Sequence, residues 1–367
     1  MLKKVYLMGK TGSGKTAIAL GLALIWKEKG LKVAYFKPKT AGQNLPPNQD
    51  TDVSILKKVL DLPWTPEQIA PVKTESTYIF GQSDYNSISV EKMERKLEDS
   101  FREISDVSQV MIIEGGKSPY ACFSILLDDF SLAKKWEVPV IYISNLDKDD
   151  DLDELLFYNN YIQSRGLFLL GNILNGVSPE KLDRTRNFFQ PFMEEKGYKL
   201  LGLIPTNPAI SFPTVAEFHE TLQGELLAGE ENLGRPVEDI VVGTMTIEGA
   251  LRYLRRALNK AVITGGDRSD LALTAMETST SVLILTGGLY PDIRVISQAR
   301  EKGVPVILVN YDTYTTIGML QGIVRQIRSD DTKTTALIRD EIAKCCQWEK
   351  IESEMESYRI YSGTKVQ

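Results

Sequence analysis

Lys3-Lys4-Val5-Tyr6-Leu7-Met8-Gly9-Lys10-Thr11-Gly12-Ser13-Gly14-Lys15-Thr16, running straight into the apolar-periodic stretch Ala17 to Lys29, decides how the chain is read. A short apolar strand, a turn rich in glycine and a helix-period run follow one another without interruption, and the turn fits the spacing G-x-x-x-x-G-K-[ST]. Gly9, Gly12 and Gly14 let the backbone bend tightly enough for its amides to point inward at phosphate oxygens. The helix N-terminus behind them adds a favourable dipole. In this placement the Lys15 ammonium reaches the β- and γ-phosphates and the Thr16 hydroxyl ligates magnesium. The expected ligands are therefore a nucleoside triphosphate, ATP first among them, and Mg2+, with Gly9, Lys10, Thr11, Gly12, Ser13, Gly14, Lys15 and Thr16 forming the cradle.

Outward from this loop, apolar runs alternate with helical ones: KVAYFK, QVMIIE, PVIYIS, LFLLGNIL and KLLGLIP, separated by longer amphipathic stretches. This is the pattern of an α/β fold, a parallel sheet with helices on both faces, whose strands are buried on both sides and so carry few charges. Prolines interrupt it at PTNPAISFPT, and a Glu- and Gly-rich stretch, GELLAGEENLGRP, follows. A second, smaller α/β set then begins with DIVVG, KAVITGG, SVLILTGG and PVILVN. The expected domains are residues 1–207, 208–330 and a charged helical tail over 331–367 whose end frays.

The 367 residues, 43% hydrophobic and 25% charged, are those of an ordinary globular chain. No apolar run approaches the roughly 20 residues that span a bilayer, and the first residues do not read as a secretory signal, so the expectation is a cytoplasmic protein with no membrane partner. Cys122, Cys345 and Cys346 lack the number and spacing of a disulfide or metal framework and read as reduced thiols. A net charge of −6 argues against a nucleic-acid surface. The lone histidine, His219, reads as an ordinary helix residue.

Further groups fall where strands end. Lys37-Pro38-Lys39-Thr40-Ala41-Gly42 follows the second strand, Asp50 and Asp52 open the next helix, and Glu114-Gly115-Gly116 follows QVMII. In an open parallel sheet the carboxyl ends of strands line the ligand crevice. Asp52 and Glu114 read either as magnesium ligands or as capping carboxylates, Asp50 being the weaker aspartate. Taken together, the loop, Lys37 in K-P-x-x-x-G, Asp52, the turn from Glu114 to Gly116 and Asn175 after a late strand resemble dethiobiotin synthetase, an ATP-dependent ligase. That resemblance implies a substrate and phosphate lysine in Lys37, a metal site in Thr16, Asp52 and Glu114, and base recognition by Asn175, with Lys37 and Lys15 as the catalytic candidates. Asn175 also reads as a polar turn residue. Here the loop is one residue shorter than is usual in that family, the Glu-Gly-Ala-Gly-Gly stretch is cut to Glu114-Gly115-Gly116-Lys117, and no diamine site is identifiable, so dethiobiotin synthesis itself is not expected. Lys10 makes the loop resemble G-K-x-G-x-G-K-T of Min/Par and nitrogenase-iron-protein ATPases. The resemblance implies a lysine that crosses a dimer interface; the alternative is a solvated loop lysine.

In the second domain, Ala261 to Asp270 and Leu285-Thr286-Gly287-Gly288 resemble the DRTGG domain, and the whole chain resembles the dethiobiotin-synthetase-like plus DRTGG module of long phosphotransacetylases, which also occurs free-standing. No transacetylase catalytic domain follows within these residues, so acetyl transfer is not expected. Asp267 and Arg268 read either as an anion or partner site or as turn and cap residues. Tyr290-Pro291-Asp292 and Asn310-Tyr311-Asp312 stand at neighbouring strand ends. The function expected is an ATP- and magnesium-binding regulatory or sensor module, a homodimer or higher homo-oligomer, with an unidentified small molecule or protein at the DRTGG domain. An amide- or carbamate-forming ligase and a Min/Par-like ATPase switch stand as alternatives.

Overall fold

The computed structural model describes residues 2–41, 52–74, 87–146, 148–243, 245–320, 323 and 331–363. Gly42 and Asp50 lie outside them. The chain divides into two compact units, Met1–Thr206 with Ile327–Gln367, and Asn207–Gln326.

In the first unit the strands β1 (Lys3–Met8), β2 (Val33–Phe36), β3 (Lys39–Ala41), β4 (Val72–Thr74), β5 (Val110–Glu114), β6 (Val140–Ser144), β7 (Leu169–Val177) and β8 (Leu200–Pro205) are separated mainly by helices. Six of them make one parallel sheet in the order β2-β5-β1-β6-β7-β8, while β3 and β4 pair separately. The six apolar runs read from the sequence are these six strands. Every residue of β5 and β6 is buried, which is why their sequences carry no alternation. From β1 the chain crosses toward β2 and β5, and from β5 it jumps to β6 on the other side. The C-terminal end of β1 is therefore the topological switch point, where ligands of open α/β sheets bind.

Two C-terminal helices, Thr332–Cys345 and Trp348–Gly363, also belong to this unit. Ile338, Ile342, Ile351 and Met355 supply their buried faces. Between the helices Cys346 bridges Gly202 on the edge strand β8, and the Gln347 amide donates to Leu201 O at 2.7 Å, so the segment covers an edge that would otherwise be open. Close packing on the first helix, Lys15–Glu28, needs a glycine: a Cβ at Gly21 would lie 2.4 Å from Ile342 Cγ1 and 2.9 Å from its Cβ. Gly21→Val is accordingly expected to lower stability by about 1–3 kcal/mol through overpacking. A urea titration would show it, and an unchanged midpoint would mean that the C-terminal helix is not held there.

The second unit has a sheet of its own: β9 (Glu225–Ala228), β10 (Asp239–Val242), β11 (Lys260–Gly265), β12 (Thr280–Thr286) and β13 (Val306–Leu308), in the order β10-β11-β12-β13-β9. β10 to β13 are the four apolar runs expected, and they pair in parallel. β9 was not anticipated. It is the short ELLA inside the stretch read as a polar boundary, and it joins β13 antiparallel. Helices Ile247–Arg256, Ser269–Met276 and Ile293–Lys302 pack on one face, with Leu254, Leu271 and Val295 in one core with Val262 and Leu283 of the sheet.

Candidate functional site

Gly9 to Gly14 turn the chain from β1 into the first helix. Two contacts show why glycine is needed there. A Cβ at Gly9 would stand 2.3 Å from Ile143 O, and one at Gly14, whose φ is +87°, would stand 2.1 Å from Asn175 Nδ2. That amide donates to Ser13 O at 3.0 Å, so Asn175 at the end of β7 braces the loop. Lys15 Nζ donates to Gly9 O at 2.8 Å and Lys10 O at 2.7 Å. Burial lowers its pKa, while the carboxylates Glu114, Asp129 and Asp52 pull the other way.

Glu114, at the last position of β5 and 1% exposed, gathers the remaining groups. Its Oε1 accepts from Thr16 Oγ1 at 3.0 Å and from Lys37 Nζ at 2.8 Å; its Oε2 accepts from the Tyr35 hydroxyl at 2.9 Å. Lys37 also donates to Asp52, the first residue of the helix Asp52–Leu60. Burial works against the Lys37 charge, but Glu114 and Asp52 together outweigh it and raise its pKa. Tyr35 is held protonated, its pKa pushed up first by burial and then by Glu114. Strand ends thus bring Thr16, Lys37, Asp52 and Glu114 together, as their positions in sequence suggested.

These groups suit the expected ligands. One hydroxyl and two carboxylates next to a phosphate loop match magnesium, which takes oxygen donors and usually keeps only one or two carboxylates beside phosphates and waters. Ser13 Oγ is buried and without a hydrogen-bond partner among the described residues, an orphan that a phosphate oxygen would satisfy. A cleft of about 310 Å³, at the small end of ligand-site sizes, is lined by Lys10, Thr11, Gly12 and Ser13 together with Ile143, Ser144, Asn145 and Asp151.

Sequence reasoning missed part of this arrangement. Asp129, fully buried, accepts from Lys39 Nζ at 3.0 Å, Tyr6 OH at 3.1 Å and the Gly116 amide at 3.1 Å. Lys39 also donates to Ala121 O at 3.0 Å, so this network fixes the turn after Glu114. The only sequence signal was an acidic pair, Asp128-Asp129, before a helix otherwise suited to the core. Asp128 caps that helix by accepting from the Ser131 amide. Lys10 forms an ion pair with Glu154 of the helix Asp149–Ser164 within the same chain. Thr11 Oγ1 donates to Lys117 O at 3.0 Å.

In the second unit, the helix Ser269–Met276 starts after Arg268 with no side-chain cap, so the capping role considered for Asp267 is not found. Arg268 instead pairs with Asp270 and donates to Met245 O. Asp292 and Asp312 cap their helices by accepting from the amides of Arg294 and Thr315, and the Tyr290 hydroxyl donates to Glu225.

Residues 3–214 match the AAA domain family. The chain belongs to it. Residues 217–323, beyond this AAA domain, match the DRTGG domain. The phosphate acetyltransferase of Nitrosomonas europaea is 25% identical over 355 residues, which cover 90% of this chain and 48% of that protein. The chain therefore spans about half the length of the curated relatives it matches. The AAA domain is also similar to the ATP-dependent dethiobiotin synthetase BioD of Bacillus licheniformis, 28% identical over 203 residues, 53% of this chain and 82% of that enzyme. Among solved structures, the CBS and DRTGG domains of the regulatory region of Clostridium perfringens pyrophosphatase, complexed with diadenosine tetraphosphate, are 19% identical and cover 47% of this chain and 87% of that one, with a TM-score of 0.27. The expected pairing of a dethiobiotin-synthetase-like P-loop domain with a DRTGG domain is met, and so is the fold class. No helix among the described residues is long and apolar enough to cross a membrane.

Proposed function

We propose that the chain is a regulatory module whose AAA domain binds ATP with magnesium and whose nucleotide state controls assembly or the binding of a second ligand. One observation carries this reading: Glu114 holds Thr16 and Lys37 on one carboxylate oxygen, at the switch point and beside Lys15. In the proposed complex Lys15 and the loop amides bind the phosphates, Thr16, Glu114 and Asp52 hold the metal, and Lys37 neutralises added negative charge. A metal held by these residues would supply positive charge against the phosphates. Asn175, which braces the loop, would in addition recognise the nucleotide base, as the dethiobiotin synthetase resemblance implies.

A second reading, an acyl-phosphate ligase, draws on the same Lys37 clamped between Asp52 and Glu114, a place where a transferred phosphoryl group would be stabilised chiefly by position and charge. Calorimetric titration with a non-hydrolysable ATP analogue and magnesium, beside light scattering, separates the two. Binding that Lys15→Ala weakens by at least about 100-fold, a loss of ~2.7 kcal/mol in keeping with charged phosphate contacts, and that shifts mass or second-ligand affinity supports the regulatory module. Binding without such a shift, joined to phosphate release stimulated by an amine or carboxylate, supports the ligase. No binding at all overturns both.

A further inference from the structure

Strand β10 ends the sheet of the second unit, and among the described residues no other strand pairs with its outer edge, where the Ile240 amide donates only to the side chain of its neighbour Asp239, at 2.8 Å. The Gly243 amide donates inward to Ile263 O at 2.8 Å, so by the alternation of a strand Ile240 and Val242 turn their N–H and C=O groups outward. A cleft of about 380 Å³ is lined by the consecutive residues Asp239, Ile240, Val241, Val242 and Gly243. Successive residues of a strand face opposite sides of the sheet, so a cleft lined by five in a row runs along the open edge and not over one face. Its other wall is the helix Ile247–Arg256, with Ala250, Tyr253 and Leu254. Met245 and Tyr253, which line it, are exposed at 45% and 51%. An open edge of this kind with apolar flanks is a template for strand addition.

We propose that this edge is an interaction surface for a second copy of the chain, β10 adding antiparallel to β10 about a two-fold axis so that one sheet runs through both subunits. Charge chooses the occupant. The flanking helix carries Glu248 near its N-terminus and Arg252, Arg255 and Arg256 toward its C-terminus; all four are exposed and none forms an ion pair among the described residues. A two-fold axis sets the two helices antiparallel, with the acidic end of each opposite the basic end of the other. The contact is isologous and closes after two copies. A foreign acidic strand would satisfy the arginines but would set its own charge against Glu248 and Asp239. None of the residues of this surface is among those proposed to hold nucleotide, so its test is run without any.

The mass of the full chain is followed by sedimentation over a concentration series, with thermal melts to confirm that each variant folds. The parent chain is expected to dimerise with rising concentration. Arg255→Glu with Arg256→Glu, and Glu248→Arg alone, should each weaken the dimer by about tenfold or more, because like charges then meet across the axis. Combining the three substitutions exchanges the two ends and should restore it. A parent chain that stays monomeric overturns the proposal. So does a dimer indifferent to the reversals, a triple variant that fails to recover, or a monomer that instead takes up a polyglutamate peptide at this edge.

Discussion

Asp129→Asn is expected to destabilise the first unit by about 3–5 kcal/mol, the cost of leaving one partner of a buried ion pair without its counter-charge. Asp129 is 0% exposed and Lys39 is 3% exposed, so water cannot reach in to solvate the ammonium once the carboxylate is gone. Asparagine keeps the size of the side chain and one oxygen for Tyr6 OH or the Gly116 amide, so the loss reports on charge more than on shape. The companion Lys39→Met should cost about as much by itself, since Asp129 is then the stranded ion. The double variant Lys39→Met/Asp129→Asn should recover most of the loss, because neither charge is buried alone and a coupling of this size shows as strong non-additivity. All four tryptophans, Trp26, Trp64, Trp136 and Trp348, belong to the first unit, so urea unfolding followed by their fluorescence reads this unit and not the other. A single variant within about 1 kcal/mol of the parent would mean that the pair is not closed to solvent in solution.

The same network marks where the sequence stops being legible. The phosphate loop is local: strand, glycines, lysine, threonine and helix are contiguous, so its structure follows from spacing alone. Lys37, Asp52 and Glu114 were within reach because each stands at a strand or helix end, and the sheet rule brings those ends together. Lys39 and Asp129 meet through the fold, and neither residue carries a local sign that the other will be beside it. The strands were readable for a related reason, since β5 and β6 are buried throughout and so appear as unbroken apolar runs. β9 was not, because four residues at a sheet edge, half of them partly exposed, resemble a loop. For the C-terminal helices, periodicity and charge marked a helical tail but not the buried stripe of Ile338, Ile342 and Ile351, nor what it covers. Their partner is decided by Gly21 and the open edge of β8, more than a hundred residues earlier in the chain.

Glu114→Gln is expected to remove most of the gain in nucleotide affinity that magnesium provides, by about 10–100-fold, the usual cost of disturbing a metal's ligand shell. The substitution keeps the length of the side chain and an oxygen for Thr16 or Tyr35 but takes away the charge that a divalent ion needs. Without magnesium the effect should be small or reversed in sign. A buried carboxylate beside a triphosphate repels it, and a neutral amide does not. That difference separates a metal ligand from a strut: if Glu114 only positioned Lys37 and Thr16, affinity would fall alike with and without the metal. Tyr35→Phe provides the matched control, since its hydroxyl donates to the other oxygen of Glu114 and touches no proposed metal ligand besides it. It should reproduce any loss due to a disturbed Glu114 orientation while leaving the charge in place. Titrations of the parent and the two variants with the analogue, in magnesium and in a chelator, give the six affinities needed. Equal losses in both conditions for Glu114→Gln would take Glu114 out of the metal site and leave it as the brace for Lys37.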